Sequence, residues 1–367
     1  MPDQLSDLLH RSVDDAPVPH PAAYDILTAG QGLRRRRRVA TGLAVTVAVV
    51  AAGVGGALVV DVAGTTESRD FDIADHGKVS DAAAQQAYDT WGAWAAEGTV
   101  TIGETVVDLP GVTNLAQTSA GVVAQTDDQQ GGASFVLVRP DGSTEKLSIP
   151  ADVQHVDGDL NATRVAWLDP GAASVEVHVW DVAADREVGS ISQPVQGDGP
   201  DSNGQFIAVA KLDGDHVYFG AGNDITFRVN WRAGAVAAID HLPLSVHHDL
   251  ATTQDGDGWV IRDMASDRVV RRLEGDLLNP SLSPDGTRVL VVDIAGATPV
   301  AAIETIAGER SMDLAEVETI AVWTRAGNVL SLVEGGVQLC ASDGSCEGKS
   351  VEAPGGFVLL ADFLNVG

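Results

Sequence analysis

Cysteine is almost missing from this chain: Cys340 and Cys346 are the only two among 367 residues. That excludes a disulfide-built scaffold and a Cys-rich zinc site. Aromatic residues make up 5% and methionine occurs three times, so no aromatic or thioether-rich surface stands out. Basic side chains are scarce as well, 23 against 52 acidic ones, and the net charge of −29 argues against a nucleic-acid partner. No Gly-x-Ser-x-Gly elbow, His-Glu-x-x-His pair or P-loop occurs, so no motif assigns catalysis and no cofactor is implied.

One stretch lacks charge entirely. Residues 39–60 are 22 residues, mostly Val, Ala, Gly and Leu, and as a helix they span about 33 Å against a bilayer core of about 30 Å. Arg34, Arg35, Arg36, Arg37 and Arg38 abut its N-terminal end, while Asp61, Glu67 and Asp70 follow the other. The positive-inside bias then puts residues 1–38 in the cytoplasm and the rest outside the cell. A cleaved signal peptide would need a shorter apolar core and a small-residue cleavage site, and Val62-Ala63-Gly64 matches one poorly. The expectation is therefore one uncleaved anchor in the lipid bilayer.

The charge divides accordingly. The 1–38 tail carries six Arg and five Asp, net +1, which leaves −30 beyond the neutral span. That tail is too short for a core of its own. Leu5, Leu8, Leu9 and Val13 recur at helical spacing before Pro17, Pro19 and Pro21, a short helix in a largely disordered tail, suited to a cytoplasmic protein partner. Residues 61–83 read as a linker and 84–367 as one extracellular domain.

That domain is a series of short Val/Ile-rich runs cut by Gly and Asp turns. Residues 179–188 align on 261–270 at an offset of 82, matching Asp181 with Asp263, Asp185 with Asp267 and Arg186 with Arg268. Equivalent turns fall near Gly103, Asp141, Asp185, Ala233, Asp267, Gly308 and Asp343, at a mean spacing of 40 residues. A period near 40 with four short strands per unit predicts a mainly β fold, a seven-bladed β-propeller. The surplus run 357–361 predicts closure of the ring onto the sheet that begins near Trp91. Six blades, with 84–112 as a peripheral hairpin or helix, is the alternative count.

Two motifs carry a family resemblance. Ser283-Pro284-Asp285-Gly286, followed by Arg288-Val289-Leu290-Val291-Val292, resembles the strand-entry motif of TolB-type propeller repeats, and Trp180-Asp181 resembles the dipeptide ending a strand in WD-repeat blades. The N-terminal layout resembles that of single-pass actinobacterial membrane proteins associated with extracytoplasmic-function sigma factors. It lacks their usual anti-sigma domain length and their zinc-type His/Cys motif.

Few candidate site residues emerge. Cys340 and Cys346 flank a Gly-containing turn between two strand-like runs and are read as a structural disulfide. His241, His247 and His248, read as lying in a connection between blades with Asp240 and Asp249 nearby, make a weak metal candidate. Asp157-Gly158-Asp159, Asp213-Gly214-Asp215 and Asp255-Gly256-Asp257 are read as solvated hairpin turns, with calcium as the competing use. The reading that follows is a membrane-anchored, non-enzymatic module binding an extracellular protein, peptide or glycan. A signalling protein whose tail holds a regulator, and a propeller hydrolase or lyase, are the alternatives.

Overall fold

A computed structural model describes residues 80–127, 132–171, 174–194, 211–220, 225–295, 299–314, 320–351 and 358–361. The candidate anchor at 39–60 and Arg34 to Arg38 lie outside these; among the described residues no helix is long and apolar enough to cross a membrane. The described chain opens with helix α1 (Asp81–Trp91). Ser80 caps it by accepting from Ala83 N, Gly92 at φ +66° ends it, and Ala84, Tyr88 and Trp91 form its buried stripe.

Twenty-eight strands follow, in seven antiparallel four-stranded sheets. Blade 1 begins with β1 (Ala93–Ala96), β2 (Thr99–Ile102) and β3 (Thr105–Asp108). Blade 2 is β4 (Val112–Thr118), β5 (Gly121–Asp127), β6 (Ala133–Val138) and β7 (Thr144–Lys146). Blade 3 is β8 (Asp157–Gly158), β9 (Arg164–Pro170), β10 (Ser174–Asp181) and β11 (Arg186–Pro194). Blade 4 is β12 (Lys211–Asp213), β13 (His216–Gly220), β14 (Thr226–Asn230) and β15 (Ala235–Ile239). Blade 5 is β16 (Pro243–His247), β17 (Leu250–Asp255), β18 (Gly258–Asp263) and β19 (Arg268–Arg272). Blade 6 is β20 (Ser281–Leu282), β21 (Arg288–Asp293), β22 (Val300–Thr305) and β23 (Arg310–Leu314). Blade 7 is β24 (Ala321–Trp323), β25 (Val329–Val333), β26 (Gly336–Cys340) and β27 (Cys346–Ser350), and β28 (Val358–Leu360) returns to blade 1.

The ring closes where the surplus strand predicts. β28 pairs antiparallel with β1, Trp94 opposite Leu360 and Ala96 opposite Val358. The six-blade alternative is thereby set aside, because 93–108 is the outer part of a full blade rather than a peripheral hairpin. The first strand of each blade faces the axis: β28, β4, β8, β12, β16, β20 and β24 contact one another in succession.

The seven turns read from the sequence are all third-to-fourth-strand hairpins. Each contains a residue with φ in the left-handed range: Gly103, Gly142, Asp185, Gly234, Asp267, Gly308 and Gly344. The two halves of the 82-residue repeat build their turns identically. Asp181 Oδ1 accepts from Ala183 N and Ala184 N, as Asp263 Oδ1 does from Ala265 N and Ser266 N. Such Asx turns explain why Asp recurs there. Ser283-Pro284-Asp285-Gly286 forms the turn into β21, and Asp285 accepts from Thr287 N.

No single core holds this ring. Buried apolar side chains form seven clusters, one in each seam between neighbouring blades. Alternation along each strand sends one set of side chains to each flanking seam: Val122 and Ala124 join the blade 1–2 cluster while Val123 joins the blade 2–3 cluster. The blade 4–5 seam is thin, with Tyr218, Val246, Ala251 and Met264. Cys340 and Cys346 stand opposite each other across the β26–β27 hairpin and form a disulfide, Cα to Cα 4.1 Å.

Candidate functional site

The axis-facing strands carry polar side chains that reach from one blade to the next. Lys211 Nζ on β12 lies 2.8 Å from Asp157 Oδ1 on β8, and both side chains are 12% exposed. Asp157 Oδ2 accepts from Leu212 N at 2.8 Å. Asp159, 3% exposed, accepts from Asn161 N through one oxygen and from Gly214 N through the other. The pattern repeats from blade to blade along one arc of the ring: Asp213 accepts from Asp249 N, and Ser245 Oγ accepts from Leu282 N at 3.1 Å. Each of these side chains satisfies a backbone donor on the next blade's inner strand or turn. The arrangement ties blades 3 to 6 together where inner strands share no ladder with their neighbours.

This revises the reading of the Asp-rich turns. Asp157, Asp159 and Asp213 are inter-blade ties, not solvated turn residues, because the first-to-second-strand turns of neighbouring blades press together near the axis. Asp255-Gly256-Asp257 is the ordinary hairpin turn expected, between β17 and β18. Lys211 went unread as a paired residue; its signal was a lone lysine following the apolar run Ile207-Ala-Val-Ala210.

The histidines separate. His241 lies in the connection between blades 4 and 5, but His247 ends β16 and His248 follows it in the turn, at the opposite end of that strand. Among the described residues no group of three His, Cys, Asp or Glu side chains is placed to hold a metal ion. His155 instead stands 3.1 Å from Asn114 Nδ2.

Burial sets the protonation of this belt. Desolvation pushes Asp213 up to about 6, against the hydrogen bond from Asp249 N. It also pushes His247 down to about 4, with adjacent His248 acting the same way. Asp159 is raised and His155 lowered, both chiefly by desolvation. The sign for Asp213 follows from linkage: a folded-state pKa above the unfolded 3.8 means the native state holds the proton more tightly, so stability falls as pH rises from about 4 to 6. Asp213→Asn keeps an acceptor for Asp249 N without the charge. Its unfolding free energy is expected to exceed that of the unsubstituted protein by roughly 2 kcal/mol near pH 7.5 and by nothing near pH 3.5. A denaturant series across that range checks it, and an offset independent of pH would refute it.

At the end of the ring that carries the first-to-second-strand turns, α1 meets three blades. Tyr88 Oη donates to Thr118 O and Gly121 O of blade 2. Arg325 of blade 7 reaches Asp89 on the helix at 2.5 Å and donates to Leu160 O of blade 3 at 2.6 Å. Blades 7 and 3 are separated by two others, so this arginine and the helix lie over that mouth of the channel.

Fold and axis together define a class: a seven-bladed β-propeller whose inner polar groups tie blade to blade. No protein-family model matches the sequence, and neither does any curated protein. Solved structures do resemble it. An acylaminoacyl peptidase is 8% identical at a TM-score of 0.51, covering 70% of this chain and 49% of its own. TolB from Acinetobacter baumannii is 12% identical at 0.40, covering 71% and 63%, and the WD40 domain of Toxoplasma gondii coronin is 11% identical at 0.44, covering 74% and 75%. At 8–12% identity these likenesses concern the fold alone, and the fold by itself assigns no role.

Proposed function

We propose that this protein is a membrane-anchored extracellular propeller that binds a protein, peptide or glycan and is not an enzyme. The observation that carries this reading is the position of the two ends of the described chain. The chain enters through α1 and leaves at Ala361, whose N–H donates to Ala93 O, two residues beyond the helix. Both ends of the described chain therefore lie on the face of the ring that carries α1. The disulfide supports an oxidising compartment. Asp157 and Asp159 are engaged with Lys211 and backbone donors rather than free for acid–base chemistry, which supports the non-enzymatic part of the reading.

Two reporters, each with one cysteine added beside the disulfide-bonded Cys340–Cys346 pair, test the topology. Ser266 is exposed in the β18–β19 turn, and Ser6 lies in the predicted cytoplasmic tail. A membrane-impermeant maleimide on intact cells is expected to label Ser266→Cys and to reach Ser6→Cys only after permeabilisation. The reverse pattern, or labelling of both in intact cells, would overturn the proposal.

A further inference from the structure

Arginines are few in this acidic chain, yet three converge on one cleft at the outer edge of the blade 3–4 seam. The cleft has a volume of about 430 Å³ and is lined by Arg164, Asp181, Arg186, Glu187, Trp231 and Arg232. It is built by two third-to-fourth-strand hairpins, with Arg164 supplied by the start of β9. Trp231 is its floor, 9% exposed, with Nε1 donating to Gly214 O at 3.1 Å. A bulge in β11 leaves Val188 unpaired and sets Gly189 against the indole, where a Cβ would come within 2.8 Å of the ring. The Cζ atoms of Arg164 and Arg232 stand 5.1 and 4.7 Å from the ring centroid.

Three carboxylates stand near these three arginines, each with hydrogen-bond partners of its own. Asp181 is taken by Thr163 Oγ1 and two turn N–H groups. Glu187 lies 2.7 Å from His178 Nδ1. Asp215 serves two guanidiniums, Arg232 at 2.6 Å and Arg164 at 3.9 Å. Arg186 is exposed and pairs with no carboxylate among the described residues.

We propose that this cleft binds a small carboxylate-bearing ligand, with Arg186 and Arg232 as its donors and Trp231 as the surface that holds Arg232 in place. A guanidinium presents a planar fork matched to a carboxylate, and stacking on an indole fixes that fork before the ligand arrives, which lowers the entropy lost on binding. The volume lies within the range of about 300–1,000 Å³ usual for small-molecule sites. Asp181 and Glu187 at the rim disfavour the compact charge of a phosphate more than the two charges of succinate, which sit on separate carboxylates.

The offset-82 repeat supplies the control. Arg268 is the counterpart of Arg186 in the blade 5 hairpin, exposed like it and outside the cleft. Calorimetric titration of the full-length protein in mild detergent, with succinate and separately with inorganic phosphate, tests the site. Succinate is expected to saturate one site, and Arg186→Gln and Arg232→Gln each to weaken it by roughly tenfold or more, the loss of one charge-assisted hydrogen bond. Arg268→Gln, which removes the same charge elsewhere, is expected to leave affinity unchanged. Thermal unfolding of each variant verifies folding, and either cleft variant alone suffices for the comparison. No succinate binding, equal weakening by Arg268→Gln, or tighter binding of phosphate than of succinate would each overturn the proposal.

Discussion

A chain ending at residue 355 is expected to lose cooperative unfolding and to aggregate. That truncation removes β28, the inner strand of blade 1, and with it the only strand pairing among the described residues between the two ends of the domain. The strand serves two seams at once. Leu359 and Ala361 belong to the blade 1–2 cluster, and Leu360 to the blade 7–1 cluster. Each buried leucine contributes about 2–5 kcal/mol by the usual cost of truncation, and total stability is on the order of 5–15 kcal/mol. Losing both leucines and one side of a sheet therefore exceeds what the ring can absorb. A gentler version is Leu360→Asp, which buries an unpaired carboxylate in one seam only, and it is expected to cost about 4 kcal/mol. A thermal transition for the truncated chain as sharp as that of the full chain would show that blade 1 is not the clasp.

Gly158→Ala is expected to destabilise the protein by about 3 kcal/mol, an overpacking cost at the upper end of the usual range. Gly158 has no unusual backbone angle; its need for glycine comes from its neighbour. A Cβ there would collide with the carbonyl oxygen of Gln117 on the adjacent inner strand, which backbone hydrogen bonding prevents from yielding. Gly256 sits in the same tripeptide, Asp-Gly-Asp, for a different reason: its φ is +63° and nothing lies within 4 Å of an added Cβ. Gly256→Ala is accordingly expected to cost about 1 kcal/mol, the strain of the left-handed backbone alone. Equal losses for the two variants, measured by denaturant unfolding, would refute this distinction.

That contrast marks how far the sequence could be read. Asp157-Gly158-Asp159 and Asp255-Gly256-Asp257 are indistinguishable as letters, and both look like hairpin turns. Only the second is one in the sense expected. The first lies on an inner strand, where its glycine admits the Gln117 carbonyl of the preceding blade and its two carboxylates accept from Leu212 N and Gly214 N of the next. The partners sit 55 residues away in sequence, and no local pattern announces them. The same holds for His247 and His248, adjacent to Asp249 in the chain but not gathered with His241 into a ligand set.

What the sequence by itself determined was local backbone chemistry repeated with a period. The hairpins at Asp185 and Asp267 were legible because an Asx turn and a left-handed residue are specified within five positions. Blade number and closure followed by counting those turns and finding one strand left over. Tertiary structure alone decided which polar side chains would be buried, which guanidiniums would converge on Trp231, and which glycine would be irreplaceable. Those outcomes depend on what an adjacent blade places within a few ångströms. A strand's own sequence specifies its pleat and its faces, but not the chemistry of the neighbour pressed against them.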